Sequence, residues 1–386
     1  MIKNAYIHIP FCKSKCHYCS FVSFADLSLK TPTELQAKHN RFNVVGLENP
    51  TYCPNQSQYL EALISQIKSE YKDEKLNTLY FGGGTPSLLT VEKFQLLIGL
   101  FNFEDDAEIT VEVNPDSVDL KYLQELKILG INRLSIGVQT FDDKVLQLIG
   151  RRHNSAQTKF ALNCAKEAGF ENISIDLIYG LPTQTLKDFE KDLQLAVKSG
   201  VQHISLYGLK IEEGCYFYKN MPAELANSDI QADMYLKAIK VLKTAGFEHY
   251  EISNFSLPDF NSRHNLNYWD NNTYYGFGCG ASGYTLNLRY TNEVDLEKYI
   301  KTPLKKIAEQ KLTQKEILEE AIFLGLRKIA GINIEKINKN FAIDFDKKYA
   351  KILDKYSQYF IKTSEGYKFT IEGILISNEI LLEFID

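Results

Sequence analysis

No apolar run in the 386-residue chain approaches the roughly 20 residues that a membrane-spanning helix requires. The start of the chain, from Met1 into the strand-like Ala5 to Ile9, shows no charged segment followed by an apolar one of the kind that directs secretion. Together these absences set the expectation of a soluble, cytoplasmic protein with no stable membrane span. Blocks of basic residues are missing too: the lysines are spread out and the net charge is -5, so nothing general attracts nucleic acid. There is no low-complexity tract, and only one tryptophan, Trp269. The seven cysteines are an odd count, three of them at metal spacing and four (Cys53, Cys164, Cys215 and Cys279) standing alone, which fits a reducing compartment rather than a disulfide framework. What remains, 44% hydrophobic and 24% charged residues, is ordinary globular composition for one large domain and a smaller one.

The other three cysteines lie within eight residues, as Cys12, Cys16 and Cys19 in Cys12-Lys13-Ser14-Lys15-Cys16-His17-Tyr18-Cys19. A fully ligated [4Fe-4S] cluster takes four cysteines, so three thiolates on a short loop hold three irons and leave one open to a small molecule. The alternative is half of a zinc site, which needs a second cysteine or histidine pair at ligand spacing. None of the four isolated cysteines supplies it. Phe11, Tyr18 and Phe21 flank the thiolates, either as a shield that keeps water off the sulfurs or as ordinary core aromatics.

Short β-branched or aromatic runs recur at Ala5 to Ile9, Thr78 to Phe81, Ile109 to Val113, Arg133 to Val138, Ile173 to Ile178 and His203 to Tyr207. Between most of them, apolar residues at three and four spacing predict helices over Tyr59 to Tyr71, Val91 to Phe101, Asp119 to Leu129, Ala156 to Ala168 and Leu186 to Ser199. Alternating strand and helix means parallel strands with crossovers. Six such units predict an α/β fold, an open (β/α)6 partial TIM barrel, two units short of closure. Domain limits are expected at 1–228 for this core, 229–305 for a bridging segment and 306–386 for a C-terminal domain.

The chemistry-bearing residues gather at one end of these strands. The cysteine loop follows the first strand, Gly82-Gly83-Gly84-Thr85-Pro86 the second, Glu112 and Asn114 end the third, Gln139 ends the fourth, and Asp176 lies within the fifth. Barrel enzymes place their sites on that face. The glycines let a backbone approach a ligand and expose amide donors, although the same run also suits a tight turn before Pro86. Glu112 and Asp176 sit in strands that read as buried, where an ion without a partner is expensive, so a ligand hydroxyl or cation is the natural complement. Arg151 and Arg152 offer a positive fork for a carboxylate, or simply a solvated helix end.

Read together, Tyr6-Ile7-His8-Ile9-Pro10-Phe11-Cys12, the loop after it, Val111-Glu112-Val113-Asn114-Pro115, Ser135-Ile136-Gly137-Val138-Gln139-Thr140-Phe141 and Asp176-Leu177-Ile178-Tyr179-Gly180-Leu181-Pro182 resemble a radical S-adenosylmethionine (SAM) protein of the HemN/HemW group. The resemblance implies a [4Fe-4S] cluster whose open iron is chelated by SAM, and an electron that cleaves the sulfonium to a 5'-deoxyadenosyl radical. It implies SAM contacts from Tyr6, Tyr18, Gly83, Gly84, Thr85, Glu112, Gln139, Arg151 and Asp176, with a backbone contact from Leu209. A reductant such as flavodoxin or ferredoxin is implied as well.

Within that group the oxygen-independent coproporphyrinogen III dehydrogenases carry a fourth cysteine two residues after the third, where this chain has Phe21. The heme-chaperone branch has an aromatic there and a His-Asn-x-x-Tyr-Trp string, present here as His264-Asn265-Leu266-Asn267-Tyr268-Trp269. The resemblance therefore implies heme as cargo and acceptor hemoproteins as partners, with dehydrogenase activity as the rival. His264 suits an axial ligand to heme iron, and Tyr268 and Trp269 suit the porphyrin face, although a histidine among aromatics is often a hydrogen-bonded core group. Ser20 stands where the group often has aspartate, and the polar stretch from Leu27 to Ser57 makes the first crossover unusually long, as a lid or a lineage insertion.

Downstream, a helix is predicted over Ile230 to Ala245, a strand over His249 to Phe255 and a glycine-rich bridge over Gly276 to Gly283. Helices over Glu316 to Ile329, Lys347 to Phe360 and Ile371 to Phe384, with a hairpin around Glu365-Gly366, predict a smaller α+β, winged-helix-like C-terminal domain. No basic recognition helix accompanies it, so its expected role is to cover the barrel mouth or meet a client.

Overall fold

Period-two alternation in a set of buried parallel strands organises the molecule. The computed structural model describes residues 1–25 and 56–385, so the Leu27 to Ser57 stretch lies, as far as residue 55, outside the described residues. Six parallel strands, β1 (Asn4–Ile9), β2 (Lys75–Gly83), β3 (Asn102–Val113), β4 (Arg133–Gln139), β5 (Asn172–Tyr179) and β6 (His203–Gly208), lie side by side in chain order. The helices α1 (Gln56–Glu70), α2 (Val91–Ile98), α3 (Leu120–Ile128), α4 (Ser155–Glu167) and α5 (Leu186–Lys198) alternate with them. This is the expected open (β/α)6 core.

The helix boundaries follow from local chemistry. Asn154 and Gln157 form a reciprocal capping box at the start of α4, and Thr185 and Asp188 do the same for α5. Just past the ends of these two helices, Gly169 and Gly200 take φ +84° and +69°, which a side chain would resist.

Strands covered on both faces ordinarily read as unbroken apolar runs. Here one face alone is apolar. Ala5, Ile7 and Ile9 of β1, Leu134, Ile136 and Val138 of β4, and Ile173, Ile175 and Leu177 of β5 join residues of the crossover helices in one continuous core. The alternate positions, including Tyr6, His8, Arg133, Ser135 and Asp176, line cavities inside the barrel instead. The sheet therefore encloses a polar lumen.

The sheet extends past the six strands at both edges. After helix α6 (Ser228–Thr244), the single strand expected over His249 to Phe255 is a hairpin, β7 (Glu248–Glu251) and β8 (Asn254–Ser256), with β8 antiparallel to β6. Helix α7 (Arg263–Trp269) follows, and β9 (Tyr275–Phe277) then pairs in parallel with β1. The supposed glycine-rich bridge thus begins as a strand. Gly276 sits inside it because any side chain would collide with the backbone of Ser282.

Ser282–Thr285, Leu288–Asn292 and Lys306–Lys311 form an antiparallel three-stranded sheet. The last unit sets helices Gln314–Gly325 and Ile334–Phe341 around a second small sheet of Ile332–Asn333, Gly366–Phe369 and Phe360–Lys362. Its expected hairpin is present. The two long helices read from the sequence are each divided, Lys347 to Phe360 into Phe345–Lys348 and Ala350–Lys355, and Ile371 to Phe384 into Ile371–Leu375 and Ser377–Leu382. Tyr349 and Ile376 leave helical geometry without a glycine or proline to signal it. Among the described residues no helix is long and apolar enough to cross a membrane.

Candidate functional site

Backbone contacts dock the cysteine loop on its surroundings. His17 N donates to Ile149 O at 3.0 Å and its Nδ1 to Leu148 O at 2.8 Å, at the end of the short helix Asp143–Leu148. Phe217 N donates to His17 O at 2.9 Å, and Lys13 Nζ to Asp116 O at 2.9 Å. So held, Cys12, Cys16 and Cys19 line one cavity of about 440 Å³ at the carboxyl ends of the strands. Burial pushes the Cys12 thiol up to about 11 and raises that of Cys19. Thiolates here need a cation beside them.

The same cavity is walled by Tyr18, Gly83, Gly84, Thr85, Glu112, Gln139, Arg151, Asp176 and Leu209. Gly83 has φ +109°, and a side chain on it would collide with the His8 ring. Gly84 N donates to Ile9 O at 2.8 Å, and a Cβ there would lie 2.7 Å from Phe11 O, so the run must be glycine to pass this close to β1. Glu112 accepts from Tyr80 OH at 2.9 Å and Gly83 N at 3.1 Å. Desolvation, then repulsion from Asp176, lifts its carboxyl to about 7. Asp176 accepts from Ser135 Oγ at 3.1 Å, and burial raises it as well. Among the described residues neither acid has a cationic contact, and each would gain one from an ammonium, or hydrogen bonds from hydroxyls.

Arg151 anchors the opposite wall. Its Nη2 donates to Asn114 Oδ1 at 2.7 Å and Gly137 O at 2.8 Å, its Nη1 to Cys16 Sγ at 3.4 Å, while its Nε is buried with no partner among the described residues. Thr85 Oγ1 donates to Cys12 Sγ at 3.5 Å. Arg152 turns away toward Asp116 at 3.7 Å. Gln139 enters the cavity from a register irregularity in β4 with φ +70°, an uncommon conformation for a residue with a side chain. Buried Asp192 fixes that exit by accepting from Thr140 Oγ1 at 2.7 Å, Phe141 N at 2.9 Å and Gln184 Nε2 at 3.1 Å.

Four of the residues expected to contact SAM or heme fall elsewhere. Tyr6 lines a neighbouring chamber, its ring stacked on Tyr80 at 6.1 Å and its hydroxyl 2.9 Å from His8 Nδ1. His264 and Tyr268 line that chamber too, and Trp269 lines neither. Helix α7 is set in place by Glu108, which accepts from Arg263 N at 3.1 Å and His264 N at 3.0 Å. Both nitrogens of the buried His264 ring are engaged: Nδ1 with Thr78 Oγ1 at 2.7 Å and Nε2 with Tyr268 OH at 2.7 Å. Since Thr78 donates onward to Asn4 Oδ1 at 3.0 Å, Nδ1 carries the proton and Nε2 accepts from the tyrosine.

Two stretches of the chain match known families. Residues 6–196 match the Radical SAM superfamily and residues 312–375 the HemN C-terminal domain. The chain is 36% identical to the heme chaperone HemW of Lactococcus lactis, over 99% of this chain and 97% of that protein. It is 35% identical to the heme chaperone HemW of Bacillus subtilis, over 100% and 99%. This chain belongs to the HemW family. Among solved structures, the coproporphyrinogen III oxidase HemN of Escherichia coli, a radical SAM enzyme, superposes with a TM-score of 0.81 at 23% identity, covering 99% of this chain and 90% of that one. That likeness establishes a shared fold.

Membership of the radical SAM superfamily implies a [4Fe-4S] cluster and SAM, and the residues of this HemW-family chain fit both. The three cysteines share one cavity, yet among the described residues no group of three or more His, Cys, Asp or Glu side chains is placed to hold a single metal ion. Three thiols on one cavity match a cluster held at three irons, with its fourth left to a small molecule. The orphaned Arg151 Nε and the two under-compensated acids suit a zwitterionic ligand with hydroxyls. Sequence reading missed Ser135, Tyr207 and Lys210 on this cavity, and Arg133 in the chamber beside it. The signal was there as alternation, with Arg133, Ser135, Gly137 and Gln139 set against Leu134, Ile136 and Val138.

Proposed function

We propose that this protein is a cytoplasmic heme chaperone that holds a [4Fe-4S] cluster on Cys12, Cys16 and Cys19, binds SAM beside it, and passes heme to acceptor hemoproteins. The observation that carries this reading is the single cavity joining three cysteines to the glycine run, Glu112, Gln139, Arg151 and Asp176, in a chain similar to heme chaperones over nearly its whole length. Bound there, the cluster would supply one electron to SAM, taken in turn from a small redox protein of the flavodoxin or ferredoxin kind. The protein's part is placement. The Arg151 Nε suits a carboxylate, Glu112 and Asp176 suit hydroxyl or ammonium groups, and Tyr18 and Leu209 pack on the apolar cluster beside the loop. Phe21, 64% exposed, occupies the position where the dehydrogenases have a further cysteine.

Heme would meet α7, with His264 Nε2 as the iron ligand and Tyr268 and Trp269, both half-buried, against the ring. Because Nε2 accepts from Tyr268, ligation requires that hydroxyl to move aside. Anaerobic reconstitution tests the proposal. Iron should be lost when Cys12, Cys16 and Cys19 are replaced by alanine, and stoichiometric heme binding should be lost in His264→Ala, with no porphyrinogen turnover by the intact protein. Robust protoporphyrinogen formation would overturn the chaperone reading in favour of the dehydrogenase.

A further inference from the structure

The barrel holds a second chamber, of about 470 Å³, which shares Glu112, Ser135, Asp176 and Tyr207 with the cysteine cavity. It reaches deeper into the lumen, to Arg133 at the first position of β4, whereas the cysteine cavity reaches Gln139 at the last. Tyr80 and His264 complete the wall.

Arg133 is 1% exposed, and its Nε is buried with no partner among the described residues. No side-chain hydrogen bond or ion pair joins its guanidinium to any described residue. An arginine does not shed its proton at working pH, and a buried guanidinium with an empty fork is costly. The acids that feel its charge, Glu112 on β3 and Asp176 on β5, face it across the chamber without touching it. The neighbouring histidines give it no competition, for burial and Arg133 itself hold His264 and His203 neutral. The protein thus has a fixed cation aimed into a cavity, with hydroxyls of Tyr80 and Tyr207 on the same wall.

We infer that this chamber binds a ligand through one carboxylate, whose two oxygens take the Arg133 fork, with the rest of the ligand lying toward the cysteine cavity. Planar, bidentate recognition is what a guanidinium offers a carboxylate. A monoanion fits better than a phosphate, because Glu112 and Asp176 oppose further negative charge in the same space. The carboxylate can belong to a side arm of a porphyrin or to a free small acid. The inference needs no iron ligation by His264.

Iron-free mesoporphyrin, its dimethyl ester and labelled propionate, applied anaerobically to the reconstituted full-length protein, separate these sources, with SAM affinity measured alongside. If the arm of a porphyrin is the ligand, the diacid binds, and both esterification and Arg133→Gln weaken it about tenfold or more. If a free acid is the ligand, propionate binds with the same dependence on Arg133 while the porphyrin does not. Arg133→Lys, which keeps the charge and loses the fork, should fall between. Should Arg133→Gln fail to fold, the diacid-to-ester ratio on the wild type and Arg133→Lys still decides. Equal binding of diacid and ester with propionate indifferent to Arg133, binding of neither probe, or an equal loss of SAM affinity would overturn the inference.

Discussion

Tyr268 donates its hydroxyl to Nε2 of His264 at 2.7 Å, and this occupies the one lone pair the imidazole has for a metal. Burial, with Arg133 adding to it, lowers the imidazole to about 3, so the ring is neutral and ready to ligate once that bond opens. Tyr268→Phe should therefore bind heme more tightly than the wild type, with an optical spectrum showing histidine ligation, at a cost in folding of about 1 kcal/mol for the lost hydrogen bond. Weaker binding by a folded Tyr268→Phe protein would remove His264 as the ligand.

Gly83→Ala should fold less stably and bind SAM poorly. Its φ of +109° disfavours a side chain, and the added methyl would meet the His8 ring, displacing the backbone whose amide reaches Glu112. We expect a loss of roughly 1–3 kcal/mol in chemical denaturation from the strained backbone. Unchanged SAM affinity by calorimetry would show that the glycine run shapes only the turn.

Asp192 touches nothing in the cysteine cavity, yet it holds Thr140 and Phe141 immediately after Gln139. Asp192→Ala would leave a buried hydroxyl, amide and carboxamide without their acceptor, costing about 2–4 kcal/mol, and should weaken SAM binding through Gln139. Asp192→Asn keeps an acceptor and should recover most of the SAM affinity. If both variants bind SAM like the wild type, the positive φ at Gln139 is maintained by something else.

Glu251 is fully buried, accepting from Ser253 N at 3.0 Å and from Asn254 Nδ2, and desolvation lifts its carboxyl from 4.5 to about 7. Its folded-state value is raised, so the folded protein keeps a proton that the unfolded chain has released between those two values. Its contribution to stability is full below pH 4.5 and is lost as pH rises toward 7, by an amount on the order of 3 kcal/mol. Glu251→Gln should flatten that part of the profile when denaturant midpoints are measured across this window. A slope identical to the wild type would mean that Glu251 ionises at its ordinary value.

The cysteine loop, the glycine run, Glu112, Gln139 and Asp176 were legible in the sequence because each is an anomaly at or near the end of an apolar run. Arg133 was not, since an arginine opening a strand looks like a solvated entry; only the strict alternation through Gln139 distinguishes it. The surroundings of His264 left no local trace, because Thr78 lies 186 residues away and the contact exists only once α7 packs over β2. Strand β9 was hidden for a related reason. Its central glycine reads as a loop signal, whereas the fold needs it for the close passage of Ser282.

That strand also fixes an order of events. β1, which leads into the first thiol, pairs with β2 on one side and with residues 275–277 on the other, and Tyr59 joins the two by bonding both His8 O and Cys279 N. During synthesis the thiols emerge before residues 275–277, so their strand gains its second neighbour only once that later stretch has been made. Closing so long a loop is slow. Iron delivered to a nascent chain would therefore meet thiols whose supporting strand still has a bare flank, and the finished cradle becomes available only after translation has passed Cys279.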